Sequence, residues 1–243
     1  MNKFKSATLA AGVALASLVG VSASAATIPN ITLSTFSDTA FASVTNGGIV
    51  ENFENFIPAT PNVWDPTTST LVGKFRSVGG TGSGSTCGTQ SGSTPCMDLA
   101  LNTTPINGQG QLVPDNGTKS LSSNDTAGIV WDVFSSADPT FKFNRIVFAV
   151  GDAADINGTV FKVTAGGVEK TLTGQANNNE QLVVINLGGF FDTATVVMDT
   201  ATNDAFVIDG ATISAVPVPA ALPLLLAGIG GLGFMARRKR KAA

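Results

Sequence analysis

Short runs of apolar residues, alternating or continuous, recur through the chain from residue 28 to residue 214. Turn-forming Gly, Asn, Asp and Pro residues separate the runs, and long helical periodicity is absent. The best-defined runs are 49–57, 70–78, 128–134, 141–150, 159–165, 168–173, 181–187, 194–198 and 205–214. This pattern predicts about ten short strands, and an all-β domain folded as a jelly-roll-like β-sandwich.

Two positions within the pattern carry more specific predictions. Gly166-Gly167 stands between two strand-length runs and predicts a two-residue β-hairpin. Phe53 and Phe56 are three positions apart and cannot share one face of a flat strand, so we expect a bulge or bend nearby.

The apolar run at 7–21 differs in its surroundings. Lys3 and Lys5 precede it, and Ala23-Ser24-Ala25 follows it as a small-residue A-x-A site. This order predicts a secretory signal peptide over 1–25, cut after Ala25, so that the chain engages the secretion translocon and signal peptidase. The alternative is a retained N-terminal transmembrane helix, for which this Ala-rich run is short.

The C-terminal stretch 216–243 has three successive parts. An extended V-P-V-P-A motif, in which proline excludes helix, comprises Val216, Pro217, Val218, Pro219 and Ala220. The uncharged run 220–236 would form a helix roughly 25 Å long, enough to span a bilayer with snorkelling flanks. A basic stop-transfer cluster follows, formed by Arg237, Arg238, Lys239, Arg240 and Lys241. This order predicts a membrane anchor with its basic end in the cytoplasm and the body, 26–215, in the periplasm; a buried core helix is the alternative.

These three parts, in this order, resemble the PEP-CTERM sorting signal of Gram-negative bacteria, in its VPLPA variant. The sequence has Val218 where that variant has Leu, and it lacks the Glu between the prolines. The resemblance implies recognition by an exosortase, a membrane-embedded cysteine transpeptidase, and delivery to the cell surface or extracellular matrix. More loosely, residues 141–213 are similar to the β-sandwich bodies that often precede such tails.

Charge and composition exclude several kinds of function. All seventeen acidic residues lie between Asp38 and Asp209 with only seven of the fourteen basic ones, so the body has a net charge of −10. Such a charge repels phosphate backbones and excludes nucleic-acid partners. The chain has no histidine. It therefore has no Ser-His-Asp triad and no His-ligated zinc or iron, and any catalysis must use carboxylates, lysine or an oxygen-ligated metal.

Cys87 and Cys96 are the only cysteines, and they flank part of a Gly/Ser-rich loop. In an exported protein we expect a disulfide between them, contributing about 2–3 kcal/mol. A reactive thiol pair is the alternative, but the C-x-x-C spacing and an activating histidine are both missing.

Calcium is the one cofactor for which the sequence offers candidate ligands. Asp152, Asp155 and Asn157 lie on a Gly-ended turn, and oxygen ligands suit calcium. A second candidate site pairs Glu51 or Glu54 with Asp204 or Asp209, because the first and last strands of a jelly roll can be neighbours. The alternatives are a polar turn that caps its own backbone and a set of solvated surface acids.

Extracellular polysaccharide is the candidate ligand of the body. Trp64 lies in a loop-like P-N-V-W-D-P context and is the predicted sugar platform, whereas Trp131 lies in an apolar strand and is expected in the core. We therefore expect a non-enzymatic surface or matrix protein, with a carbohydrate-binding module as the alternative. A third hypothesis is a carboxylate-dependent hydrolase, whose two carboxylates the sequence does not single out.

Overall fold

The computed structural model describes residues 28–58, 62–84, 96–103, 110–113 and 117–216, all of which lie in one compact unit, 26–217. These residues form one helix, α1 (Asp38–Thr45), and twelve strands. The strands are β1 (Asn30–Thr35), β2 (Ile49–Glu51), β3 (Gly73–Ser77), β4 (Ala100–Asn102), β5 (Ser120–Ser122), β6 (Gly128–Val133), β7 (Phe143–Gly151), β8 (Val160–Ala165), β9 (Val168–Thr173), β10 (Glu180–Phe191), β11 (Ala194–Asp199) and β12 (Val207–Ser214).

The strands form two antiparallel sheets. The seven-stranded sheet has the order β1-β10-β7-β12-β5-β4, with β2 also paired to β12, and the five-stranded sheet has the order β3-β6-β11-β8-β9. Inward-facing residues of both sheets belong to one hydrophobic cluster, which includes Trp131, Phe148 and Phe161. Two sheets around a shared core confirm the predicted all-β sandwich.

Aromatic side chains dominate one part of this core. The Trp131 ring stacks on Phe75 at a centroid distance of 5.2 Å and packs edge-on against Phe148. Its indole N–H donates to the carbonyl of Val72 at 3.0 Å. A buried indole needs such a partner, so Trp131 is a core residue, as predicted.

Both specific backbone predictions are confirmed. Gly166 and Gly167 have φ of 57° and 78°, and they join Ala165 of β8 to its partner Val168 of β9; this positive φ explains the glycine pair. Phe53, the second residue after β2, has φ of 59°. The resulting bend places the Phe53 and Phe56 rings 6.5 Å apart.

Three connections between the sheets meet at one end of the sandwich. Gly151, the last residue of β7, pairs with Glu180 at the start of β10 and with Val207 at the start of β12. The connections β7–β8 (152–159), β9–β10 (174–179) and β11–β12 (200–206) therefore leave the seven-stranded sheet side by side. We call these three segments the crossover end.

The best-defined apolar runs did not include α1, β1, β4 or β5. α1 begins after Ser37, whose hydroxyl accepts the Ala40 N–H at 3.2 Å as an N-cap. Only Phe41 and Thr45 of this helix are buried, too few to produce a helical period in the sequence. β4 and β5 have three residues each, which is shorter than the alternation by which a strand is recognised.

No helix among the described residues is long and apolar enough to cross a membrane. The predicted signal peptide, with Ala23 and Ala25, and the predicted apolar span and basic cluster, 220–241, lie outside the described residues. Of the V-P-V-P-A motif, only Val216 is described.

Candidate functional site

The predicted calcium loop lies at the crossover end. Asp152 has φ of 57° and Ala154 has φ of 58°, so two non-glycine residues adopt a left-handed conformation within three positions. The Asp152 N–H donates to the carbonyl of Asn179 at 2.7 Å, and its carboxylate accepts the Asn178 N–H at 2.7 Å. Asp152 thus ties the β7–β8 connection to the β9–β10 connection. Asn157, in contrast, is exposed.

Asp204 reaches the same place from the β11–β12 connection. Only 1 % of this residue is exposed, and neither carboxylate oxygen has a hydrogen-bond partner. Burial raises the pKa of Asp204 to about 6; the Thr159 hydroxyl opposes that rise, and the neighbouring carboxylates of Asp155 and Asp152 add to it. The crossover end therefore brings Asp204 to Asp152 and Asp155.

The second predicted set of calcium ligands has a different environment. The Glu51 carboxylate accepts the N–H groups of Phe53 at 2.8 Å and Leu71 at 3.0 Å. Glu54 accepts the N–H groups of Thr118 and Lys119 at 2.7 and 2.8 Å. These carboxylates accept hydrogen bonds from backbone N–H groups that lie outside the strand ladders, which is a structural role.

Asp209 has the same role at greater depth. It is fully buried, and its carboxylate accepts N–H groups from Leu112 at 2.8 Å, Val113 at 2.9 Å and Gly210 at 2.7 Å. Burial raises the pKa of Asp209 to about 8, although these three donors lower it. Backbone N–H dipoles surround the carboxylates of Glu51, Glu54 and Asp209 with partial positive charge, which opposes a cation. These residues therefore anchor the backbone, and the calcium site predicted on them stays a prediction.

Trp64 is a core residue, so its predicted role as an exposed sugar platform is wrong. It is 4 % exposed, and its indole N–H donates to the carbonyl of Phe75 at 3.1 Å. Its ring packs edge-on against Phe53 at 5.9 Å and Phe56 at 5.1 Å. The bend at Phe53 creates this aromatic pocket; the sequence predicted the bend, but not that Trp64 packs into it.

An exposed aromatic surface lies at the opposite end of the sandwich, where β10 meets β11. Phe190 and Phe191 are 43 % and 45 % exposed. Phe191 borders an open hollow of about 360 Å³, which is lined by Pro29, Gly166, Leu187, Phe191, Thr193, Ala194 and Thr195. The sequence signal was the G-G-F-F run at 188–191, which continues β10 beyond the predicted strand end at 187.

The predicted disulfide involves one described residue. Cys96 is fully buried, with its sulfur 3.6 Å from Asn124 Oδ1. Cys87 lies outside the described residues, so the pairing stays a prediction.

Two comparisons with known proteins concern the body. A search of curated protein sequences gives no match. Among solved structures, the chain is similar to the CBM22-1 and GH10 modules of endo-1,4-β-D-xylanase 10B from Clostridium thermocellum, solved with xylohexaose. The TM-score is 0.29 at 14 % identity, covering 49 % of this chain and 25 % of that one. It is also similar to the C-terminal family 22 carbohydrate-binding module of the same xylanase, with a TM-score of 0.32 at 13 % identity, covering 67 % of this chain and 98 % of that one.

A third comparison concerns the C-terminus. Residues 215–241 match the family described as the PEP-CTERM protein-sorting motif. That motif implies export and anchoring in a membrane by the C-terminus before processing. The match begins one residue after β12 ends at Ser214. The chain therefore carries a β-sandwich body followed directly by a PEP-CTERM sorting tail.

Proposed function

We propose that the protein is a non-catalytic component of the cell surface or extracellular matrix, inserted in the inner membrane by its tail and then processed by an exosortase-type transpeptidase. The observation that carries this proposal is the PEP-CTERM motif at 215–241. The fold adds support, because the body is a densely packed domain that can be delivered as a unit.

The junction between the body and the tail supports the same function. The Asn144 side chain accepts the Val216 N–H at 2.8 Å and donates to the Val216 carbonyl, also at 2.8 Å. This double hydrogen bond, the Asn144–Val216 clamp, holds the first residue of V-P-V-P-A against β7. Cleavage after Val216 would remove none of the strands that the structure describes, so we expect the folded body to survive processing intact.

Intact mass of the native protein tests this proposal, on non-reduced membrane and extracellular fractions. We expect a species that begins near Ala26 and ends between Val216 and Ala220. In a variant with Pro217→Ala and Pro219→Ala, that species should give way to one that retains Arg237–Lys241; Pro114→Ala, in the body, is the control substitution. If the wild-type protein itself keeps Arg237–Lys241 and no shorter species forms, the tail is a plain anchor and the proposal fails.

Extracellular carbohydrate binding is the second candidate function, and the hollow beside Phe191 favours it. An exposed aromatic face next to Thr193 and Thr195 is a surface on which a sugar ring can stack. We expect native polysaccharide to retain the wild-type protein on an affinity column, and Phe191→Ala to abolish retention. Ile57→Ala removes another exposed apolar side chain and should leave retention unchanged. Equal retention of wild type and Phe191→Ala, or none of either, would eliminate this candidate.

A further inference from the structure

The Asp204 carboxylate is buried without the donors that such a group requires. A buried carboxylate is normally paired with a positive charge or accepts several hydrogen bonds. Both oxygens of Asp204 have neither. Five positions along the chain, Asp209 shows the ordinary solution, with three backbone donors on one carboxylate.

The polar neighbours of Asp204 do not form a hydrogen bond of ordinary geometry with its carboxylate. Thr159 is the nearest hydroxyl that influences it, but that hydroxyl donates to the carbonyl of Ile156 at 2.7 Å. A hydroxyl has a single proton to donate, so Thr159 lowers the pKa of Asp204 only in part and leaves both carboxylate oxygens without a hydrogen-bond partner. The neighbour on the other side is the carboxylate of Asp155, which repels Asp204 when both are charged.

Basic side chains do not compensate these two acids either. The ion pairs within the described parts of the chain join Arg76 to Asp132 and Lys162 to Glu169 and Asp199. None of them includes Asp155 or Asp204. A cluster of oxygen atoms with net negative charge is therefore held together at the crossover end.

We propose that the crossover end binds a divalent cation, by preference calcium, between the carboxylates of Asp204 and Asp155. The described residues contain no group of three or more Asp, Glu, Cys or His side chains that could hold a metal ion. The remaining ligands are therefore backbone carbonyl oxygens of the connecting segments, the Thr159 oxygen and water. Calcium accepts such mixed oxygen shells of about six to eight ligands, whereas magnesium demands a stricter octahedron and zinc prefers nitrogen and sulfur.

The sequence pattern assigns these acids to two separate candidate calcium sites. Asp155 belongs to the site on the Gly-ended turn, and Asp204 belongs to the site with Glu51 or Glu54. In the structure, Asp204 neighbours Asp155 of the turn instead. Glu51 and Glu54 accept hydrogen bonds from backbone N–H groups. A bound cation would cross-link the β7–β8 and β11–β12 connections, each of which passes from one sheet to the other. This inference does not depend on how the tail is processed.

Thermal unfolding of the full-length protein in detergent tests the site, with calcium chloride or EDTA as the probe. At about pH 7.5 and about 5 mM calcium, we expect the melting temperature to rise by about 5 °C relative to EDTA. Asp204→Asn should reduce the rise to less than about 1 °C, and Asp155→Asn should reduce it by at least about half. Asp192→Asn, on the β10–β11 turn at the opposite end, is the matched control and should respond like the wild type.

Asp155→Asn keeps the test decisive if Asp204→Asn fails to fold, because Asp155 is only half-buried. Equal melting in calcium and EDTA for the wild type would overturn the proposal. So would a calcium response that survives unchanged in both Asp155→Asn and Asp204→Asn. A wild type that gains stability on acidification but not on calcium addition would show that the two carboxylates share a proton rather than a cation.

Discussion

Asp204 and Asp209 lie five residues apart and are equally buried, yet their surroundings are opposite. Three backbone N–H groups converge on the carboxylate of Asp209, while neither carboxylate oxygen of Asp204 has a hydrogen-bond partner. The donors of Asp209 come from the irregular segment at 110–113 and from the strand bulge at Gly210, where the protein needs an acceptor. No described backbone N–H group donates to the carboxylate oxygens of Asp204. A buried carboxylate that accepts backbone hydrogen bonds holds a segment of the chain in place. A buried carboxylate without hydrogen-bond donors supports the proposal that a cation binds there.

The largest effect should follow from removing Asp209. Asp209→Ala leaves three buried N–H groups without an acceptor and should cost about 4–5 kcal/mol of unfolding free energy. Asp209→Asn keeps one acceptor oxygen and should cost about half as much, roughly 2 kcal/mol. Denaturant titration in EDTA measures both. A loss below about 1 kcal/mol for Asp209→Ala would mean that other groups satisfy the segment, and the contrast with Asp204 would disappear.

A smaller effect concerns the pH dependence that Asp204 causes. Its pKa is raised from 3.8 to about 6 in the folded protein, so the folded state binds this proton more tightly than the unfolded chain. The stabilisation is therefore complete below about pH 4 and is lost as pH rises through 6. In EDTA, the stability of the wild type relative to Asp204→Asn should fall by up to about 3 kcal/mol between about pH 4 and pH 7.

The measurement is a set of denaturant titrations of the two proteins across that range. Because other acids titrate in both proteins, only their difference reports on Asp204. A constant difference would show that Asp204 titrates normally and is not the unsatisfied group described above. Calcium should abolish the pH dependence above pH 6, which distinguishes a bound cation from a shared proton.

The smallest effect should come from Glu54, which is half-buried and accepts from Thr118 and Lys119. Glu54→Gln keeps one acceptor oxygen and stays hydrated, so it should cost about 1 kcal/mol. Amide hydrogen exchange at Thr118 and Lys119 should accelerate several-fold, and exchange in β6 should not change. Unaltered exchange at those two amides would show that Glu54 does not anchor the segment.

The regular strands could be predicted from the sequence because each is a run of apolar or alternating residues that ends at turn-forming residues. β9 has the predicted bounds, 168–173, and β6 and β11 differ from their predicted bounds by one residue at the C-terminal end. Burial alternates along β11, β6 is buried almost throughout, and β9 is largely exposed. The Gly166-Gly167 turn fixes the register of the β8–β9 hairpin locally. The two-sheet fold follows from that information.

The site could not be predicted in the same way, because it depends on which loops meet. The sequence offered Asp204 and Asp209 as equivalent, and only the pairing of Gly151 with Val207 brings the β11–β12 connection to the β7–β8 turn. Similarly, Trp64 is buried because Phe53 turns the chain back with positive φ. Both outcomes depend on which distant segments of the chain pack together, and a local pattern does not contain that information.

The Asn144–Val216 clamp also has a mechanical consequence. A pull on the tail reaches the body at β12, which is hydrogen-bonded to β7 along one side and to β2 and β5 along the other. Tension along β12 therefore shears several ladders at once instead of peeling an edge strand one bond at a time. A surface protein held by this tail would resist being unravelled from its point of attachment.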